Sequence, residues 1–220
     1  MSGPLALIGG GAWQPGCSFD GGLLEASGGT EVVVLAAAAA YEHPARAVAA
    51  AAAHFAGLGA QVIGLDVFQR REALVGANAE IVRKARFIYL ADGSPLHLRS
   101  VLKSTPLWDA IIVAWSEGAV VAGSGAGAMV IGDPMVDPRG GAFTVGLGLI
   151  SGVAVHPHAD DGFAGSHHRT LALADPGLCL AAVPEQTALI RSPQGAWTVE
   201  GVGSVTIYVD GKVRPIDMLP

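Results

Sequence analysis

The 220-residue chain predicts an α/β fold of three layers: a mostly parallel sheet with helices on both faces and an antiparallel C-terminal extension. Three observations carry this. Short apolar runs alternate with helical segments through the first two thirds of the chain, the order expected of β-α-β units. Those runs are continuous rather than alternating polar and apolar, as in strands covered on both faces. The last third changes to short strands separated by glycine turns.

The elements follow in order. Leu5 to Ile8 reads as a buried strand ending in Gly9-Gly10-Gly11, and Glu31 to Leu35 as a second strand. Pro44 opens an alanine-rich helix through Phe55 that stops at Gly57, because proline suits a first helical turn and glycine its end. Gln61 to Leu65 is a third strand, Asn78 to Ala85 a helix and Phe87 to Leu90 a fourth strand. Leu96 to Leu102 and Trp108 to Glu117 carry helical signals before the run Ala119-Val120-Val121-Ala122. Further on, strands are expected at 178–183, 187–190, 197–199 and 205–209, with Asp210-Gly211 as a hairpin turn.

Composition bounds the function. With 51% hydrophobic and only 15% charged residues there is ample material for one large core, and no linker or composition break divides residues 1–220, so a single domain is expected. The net charge of −6 comes without a basic cluster, which excludes an electrostatic footprint for nucleic acid. Cys17 and Cys179 lack metal-ligand spacing, so free thiols, no metal and no cofactor are expected. The N-terminus has no basic region of the signal-peptide kind. The longest apolar stretch, 32–40, is about half of the roughly 20 residues a membrane span needs, so a cytoplasmic protein is expected. The expected partner is a small peptide or small anionic ligand, with a homodimer left open.

The chemistry concentrates at Gly123-Ser124-Gly125-Ala126-Gly127-Ala128, which lies between an apolar strand and the helical run Met129-Val130-Ile131. A nucleophile elbow, G-x-S-x-G, requires glycines two residues either side of the nucleophile because its sharp turn leaves no room for Cβ atoms. Gly123 and Gly127 hold those places, and the residue between them is Gly125, which has no side chain to attack with. Ser124, flanked at two residues by Ala122 and Ala126, is the alternative nucleophile of an elbow shifted by one place. A dinucleotide site is the competing reading of these glycines, but no acidic ribose partner stands at a strand end.

Taken in order, these motifs resemble the cyanophycinase and aspartyl dipeptidase (dipeptidase E-like) family of serine peptidases, whose fold is similar to type 1 glutamine amidotransferases. The family elbow reads G-x-S-A-G-A, and here Gly125 stands where the resemblance puts the serine. The resemblance assigns oxyanion-hole N–H groups to Gly93 and Ala126, with Asp92 in place of a glycine and His97 in place of a glutamine. An aspartate there sets negative charge beside the developing oxyanion. In Val155-His156-Pro157-His158 the family's general base falls on His158 and its preceding polar residue on His156. Glu185, in Pro184-Glu185-Gln186-Thr187-Ala188, is offered as the carboxylate orienting that imidazole, with Asp133, Asp137 and Asp160 as rivals. Arg169 resembles an arginine suited to a substrate carboxylate.

What the resemblance implies is a hydrolase of small aspartyl or β-aspartyl peptides, impaired or inactive because of Gly125. The alternative is a pseudoenzyme that binds a small anionic or peptide ligand in the retained pocket. A serine placed back at Gly125 is expected to raise the rate.

Overall fold

The computed structural model describes residues 1–160 and 166–220. Its first five long strands are β1 (Leu5–Ile8), β2 (Glu31–Leu35), β3 (Gln61–Leu65), β4 (Phe87–Leu90) and β5 (Val120–Ser124). Between and after them run α1 (Phe19–Ser27), α2 (Pro44–Gly57), α3 (Arg70–Ala73), α4 (Gly76–Lys84), α5 (Pro95–Leu102), α6 (Pro106–Ser116) and α7 (Ala126–Ile131). Helices α2, α5 and α6 each begin with proline, whose missing N–H costs nothing in a first turn. Ser94 and Thr105 cap α5 and α6 by accepting from the N–H groups of His97 and Trp108. Helices α1 and α3 were not among the sequence expectations. Gly21 and Gly22 dilute the helical signal of the first, and the second is a single short turn.

After a stretch of two-residue strands come β6 (Val153–His156), α8 (Ser166–Leu173), β7 (Cys179–Ala182), β8 (Thr187–Arg191), β9 (Trp197–Gly201), β10 (Thr206–Val209) and β11 (Lys212–Arg214). The central sheet has the order β9-β8-β1-β5-β4-β2-β3. Its five N-terminal strands run parallel, and β8 and β9 extend the β1 edge antiparallel. The rest of the C-terminal strands form a separate sheet, β6-β7-β10-β11, instead of continuing the extension. Asp210 and Gly211 both have positive φ, as a two-residue hairpin turn between β10 and β11 requires.

Side chains alternating along each strand feed two cores. Ala6, Ile8, Val32, Val34, Phe87 and Tyr89 meet Phe19 and Leu23 of α1 and Phe55 of α2 on one face. Leu5, Leu7, Val33, Leu35, Ile88 and Leu90 meet α4, α5, α6 and α7 on the other. Strands with both faces buried explain the continuous apolar runs of the sequence. Both cysteines are free and buried. Among the described residues no helix is long and apolar enough to cross a membrane.

Strand order determines where chemistry can occur. β5 lies between β1 and β4, so the loops leaving the carboxyl ends of these three strands open side by side, where sites collect in sheets of this kind. Glycines pin the junction. A Cβ on Gly127 would overlap the Leu90 carbonyl, and one on Gly123 would overlap the backbone of Gly127 and Ala128. We expect Gly127→Ala to cost about 1–3 kcal/mol in urea unfolding, the usual range for overpacking against fixed atoms. Gly22→Ala, on an exposed turn of α1 with nothing within 4 Å of the new methyl, should instead gain about 0.5–1 kcal/mol.

Candidate active site

Gly125 forms the turn between β5 and α7 with φ 50° and ψ −109°, a backbone conformation that L side chains rarely adopt. Its N–H donates to the Ile8 carbonyl, which ties the elbow to β1. Ser124, the last residue of β5, is fully buried, lies outside the cleft lining, and its hydroxyl has no hydrogen-bond partner among the described residues. It is therefore not presented to a substrate, and the shifted elbow is not realised.

The loop after β4 supplies the group that dominates the site. Asp92 turns its carboxylate over Gly125, so that a Cβ built on that glycine would overlap the carboxylate carbon and both oxygens. Oδ1 of Asp92 accepts from the N–H of Gly93 and from the N–H of Ala126, each at 2.7 Å. The two N–H groups that the resemblance assigns to an oxyanion hole do converge, and they converge on an oxygen of the protein itself. Gly93 reaches this position at φ 139°, packed where a side chain would overlap the backbone of Ala38 and Ala39.

His158 stands on the other side of that carboxylate. Its Nε2 lies 3.2 Å from Asp92 Oδ2, and its Nδ1 lies 3.0 Å from Glu185 Oε1. The ring rests on Gly10, where any Cβ would strike it, and the His158 N–H donates to the Gly9 carbonyl at 2.7 Å. The glycines after β1 are thus the bed of the imidazole. His158 itself has φ 54°, an unusual conformation for a residue with a Cβ, held by these contacts.

Two carboxylates flank one imidazole, and its proton affinity follows. The hydrogen bond to Asp92, aided by the charges of Asp92 and Glu185 against the cost of burial, raises His158 to about 9. It is an imidazolium at neutral pH, with both ring N–H groups donating. Burial pushes Asp92 up, but the hydrogen bonds from His158, Ala126 and Gly93 outweigh it and leave its carboxyl below the usual value. His156, at the end of β6, is pushed down by burial and by the neighbouring His158 charge, so it is neutral.

The remaining expected residues separate. Glu185 is the carboxylate on His158, whereas Asp160 accepts from the Glu185 N–H, Asp133 from the Gly146 N–H, and Asp137 pairs with Arg139. His97 lies outside the cleft, its Nε2 at 2.9 Å from the Phe68 carbonyl and its ring against Tyr41. Arg169 is exposed on α8 and does not line the cleft, although its neighbour Thr170 does. Composition gave no signal for Thr170, Met129 or Val136 as lining, because apolar wall residues look like any core residue in sequence.

The cleft beside Asp92 and His158 has a volume of about 250 Å³. Pro95, Met129, Val136, Pro138 and Pro157 supply its apolar walls, and among the described residues no lysine or arginine lines it. No cluster of metal-ligating side chains occurs among the described residues.

Residues 7–196 match the model of peptidase family S51. The chain belongs to that family. The fold is also that of a crystal structure of a peptidase from an acI-B1 actinobacterium, at 29% identity and a TM-score of 0.87, covering 97% of this chain and 93% of that one. A putative peptidase E protein from Listeria monocytogenes EGD-e shares the fold alone, at 16% identity and a TM-score of 0.67, covering 92% of this chain and 100% of that one. No curated protein matches. Within family S51 this chain thus combines a glycine turn from β5 to α7, two converging N–H groups and a histidine–carboxylate pair with Gly125 and Asp92 where the resemblance leads one to expect serine and glycine.

The ion pair gives a pH signature. A raised histidine contributes stability that is full below 6.5 and lost as pH rises through about 9. The depressed Asp92 contributes above its ordinary value of 3.8 and loses that as pH falls. NMR titration of the His158 ring should place its midpoint near 9 and return it toward 6.5 in Asp92→Asn. Glu185→Gln should lower it less, since the Asp92 contact is the larger cause.

Proposed function

We propose that this family S51 chain does not perform serine acyl transfer, and that it binds a small, uncharged molecule in the cleft beside Asp92 and His158. One observation carries the reading: the Asp92 carboxylate fills both the space of the missing nucleophile and the pair of N–H donors that would hold a substrate oxyanion. An acyl-transfer enzyme needs those donors free at the moment charge develops on the substrate. The N–H groups of Gly125 and Ala126, which a small anion would otherwise meet at the start of α7, donate to the Ile8 carbonyl and to Asp92 Oδ1. The His158 charge is already paired with Asp92 and Glu185, and among the described residues no lysine or arginine lines the cleft beside Asp92 and Asp137, which disfavours an acidic ligand.

The family resemblance still points to aspartyl dipeptides as the class to be cleaved if the serine machinery were complete. Removal of a catalytic serine leaves only what binding and the hole contribute, and here the hole is filled as well. The overlap of a Cβ at Gly125 with the Asp92 carboxylate opposes a gain from Gly125→Ser by itself, and supports the expectation that the double change with Asp92→Gly does better. Release of leucine from Asp-Leu, followed chromatographically, tests the reading. The unmodified chain, Ser124→Ala and Gly125→Ser should all stay at background. The double variant Asp92→Gly with Gly125→Ser, which empties the hole and supplies a hydroxyl beside His158, should gain on the order of 10³-fold. Turnover by the unmodified chain that Ser124→Ala abolishes would overturn the proposal.

A further inference from the structure

We propose that Asp92 is itself a nucleophile, and that the site hydrolyses a small apolar epoxide to a vicinal diol through an ester formed on Asp92 Oδ2. The inference rests on the reading that serine acyl transfer is absent, and it names a reaction for the same cleft. A carboxylate whose Oδ1 is fixed by two backbone N–H groups has only Oδ2 to offer, and Oδ2 is the oxygen facing His158 at the cleft. With the hole occupied from within, a substrate carbonyl finds no donors, so acyl chemistry on the substrate is unsupported. Attack by Oδ2 on a saturated carbon instead produces an ester whose carbonyl oxygen is Oδ1, already seated between the Gly93 and Ala126 N–H groups. An ester in that position, next to a histidine backed by a carboxylate, has every group its own hydrolysis requires.

The protonation state selects the leaving group. His158 is an imidazolium beside Oδ2, and an epoxide is an electrophile whose departing oxygen needs a proton. In the first step a lone pair of Oδ2 bonds to an epoxide carbon, the ring bond to the oxygen on the opposite side of that carbon breaks, and the departing oxygen takes a proton from a water that is in turn reprotonated by His158 Nε2. The products are a hydroxyalkyl ester on Asp92 and a neutral imidazole. Loss of the Asp92 charge removes the main reason for the high proton affinity of that ring, which makes it a base at this moment.

In the second step a water oxygen bonds to Asp92 Cγ, its proton passes to Nε2, and the carbonyl electron pair moves onto Oδ1 between the two N–H donors. The pair then returns, the Cγ–Oδ2 bond breaks, and Oδ2 leaves with the diol after taking the proton from His158. The carboxylic acid left on Asp92 returns its proton to His158, which restores the ion pair. The sum is epoxide plus water giving diol, with nothing oxidised or reduced. The apolar walls at Pro95, Met129, Val136, Pro138 and Pro157, with the His158 charge already paired to Asp92 and Glu185, suit a neutral substrate of this size.

The bookkeeping of oxygen atoms makes the step testable. Styrene oxide and phenyl glycidyl ether are the probes, with the protein in molar excess in water enriched in oxygen-18. The expected result is an unlabelled diol and one heavy oxygen on the peptide that contains Asp92, because the diol carries away the original Oδ2. His158→Gln should accumulate the hydroxyalkyl ester, seen as the added mass of the probe on that same peptide. Asp92→Asn, with its fold checked by thermal unfolding, should lose diol formation by at least about 100-fold and form no adduct. Heavy oxygen in the diol with Asp92 unlabelled overturns the proposal. So does the absence of both diol and adduct for both probes in the unmodified chain and in His158→Gln. Aspartyl-dipeptide turnover by the unmodified chain overturns the underlying reading, whereas the label on Asp92 reports on this step alone.

Discussion

The bond from two backbone N–H groups to one oxygen of Asp92 is the constraint around which the site is arranged. Gly93 and Ala126 leave different loops, one after β4 and one after β5, and they meet only because these strands are neighbours in the sheet. Unpaired in a half-buried cleft, each N–H would cost roughly 1–3 kcal/mol, so something must accept from them. Asp92 does so with a charged oxygen, which makes stronger bonds than a neutral acceptor. That places the second oxygen beside His158 and the carboxylate over Gly125 at once.

Charge then propagates outward from that carboxylate. Asp92 makes His158 an imidazolium, Glu185 accepts a hydrogen bond from its Nδ1–H, and Asp160 accepts from the backbone N–H of Glu185. His156, two residues earlier, is pushed down by burial and, to a lesser degree, by the same positive charge. A pair of this kind is partly exposed to solvent, with side-chain accessibilities of 47% and 35% for His158 and Asp92, so its value lies more in fixing geometry than in stabilising the fold. The unusual backbone of Gly125 and His158 is tolerated for the same reason: both residues are held from several sides by β1, the glycines that follow it, and each other's neighbours.

Absence of a side chain at the elbow and presence of a carboxylate reaching over it from the neighbouring strand end are two halves of one arrangement. With serine at 125, the Asp92 carboxylate could not lie where it does. With glycine at 92, the hole would stand open to a substrate. The pair of residues is mutually compatible, and each alone conflicts with the other's usual partner.

The sequence by itself determined the layered α/β fold, because continuous apolar runs alternating with helical segments suit strands covered on both faces, and it gave the helix start at Pro44, a local effect of proline that also sets the starts at Pro95 and Pro106, one and two residues ahead of the expected Leu96 and Trp108. It also determined the elbow, whose glycines at 123 and 127 answer a steric demand within a few residues. Tertiary structure alone decided what the site contains. The resemblance offered Glu185 as the His158 partner with Asp133, Asp137 and Asp160 as rivals, and the loop between β7 and β8 brings Glu185 to Nδ1 while the other three meet different donors. His97 was sent to the Phe68 carbonyl by the course of α5, which a motif two residues long cannot reveal. The seating of Asp92 in the hole depends on a side chain crossing from one strand end to the next, over 34 residues of sequence separation. No periodicity records such a distance, because it is set by the order of strands in the sheet and not by the spacing of residues along the chain.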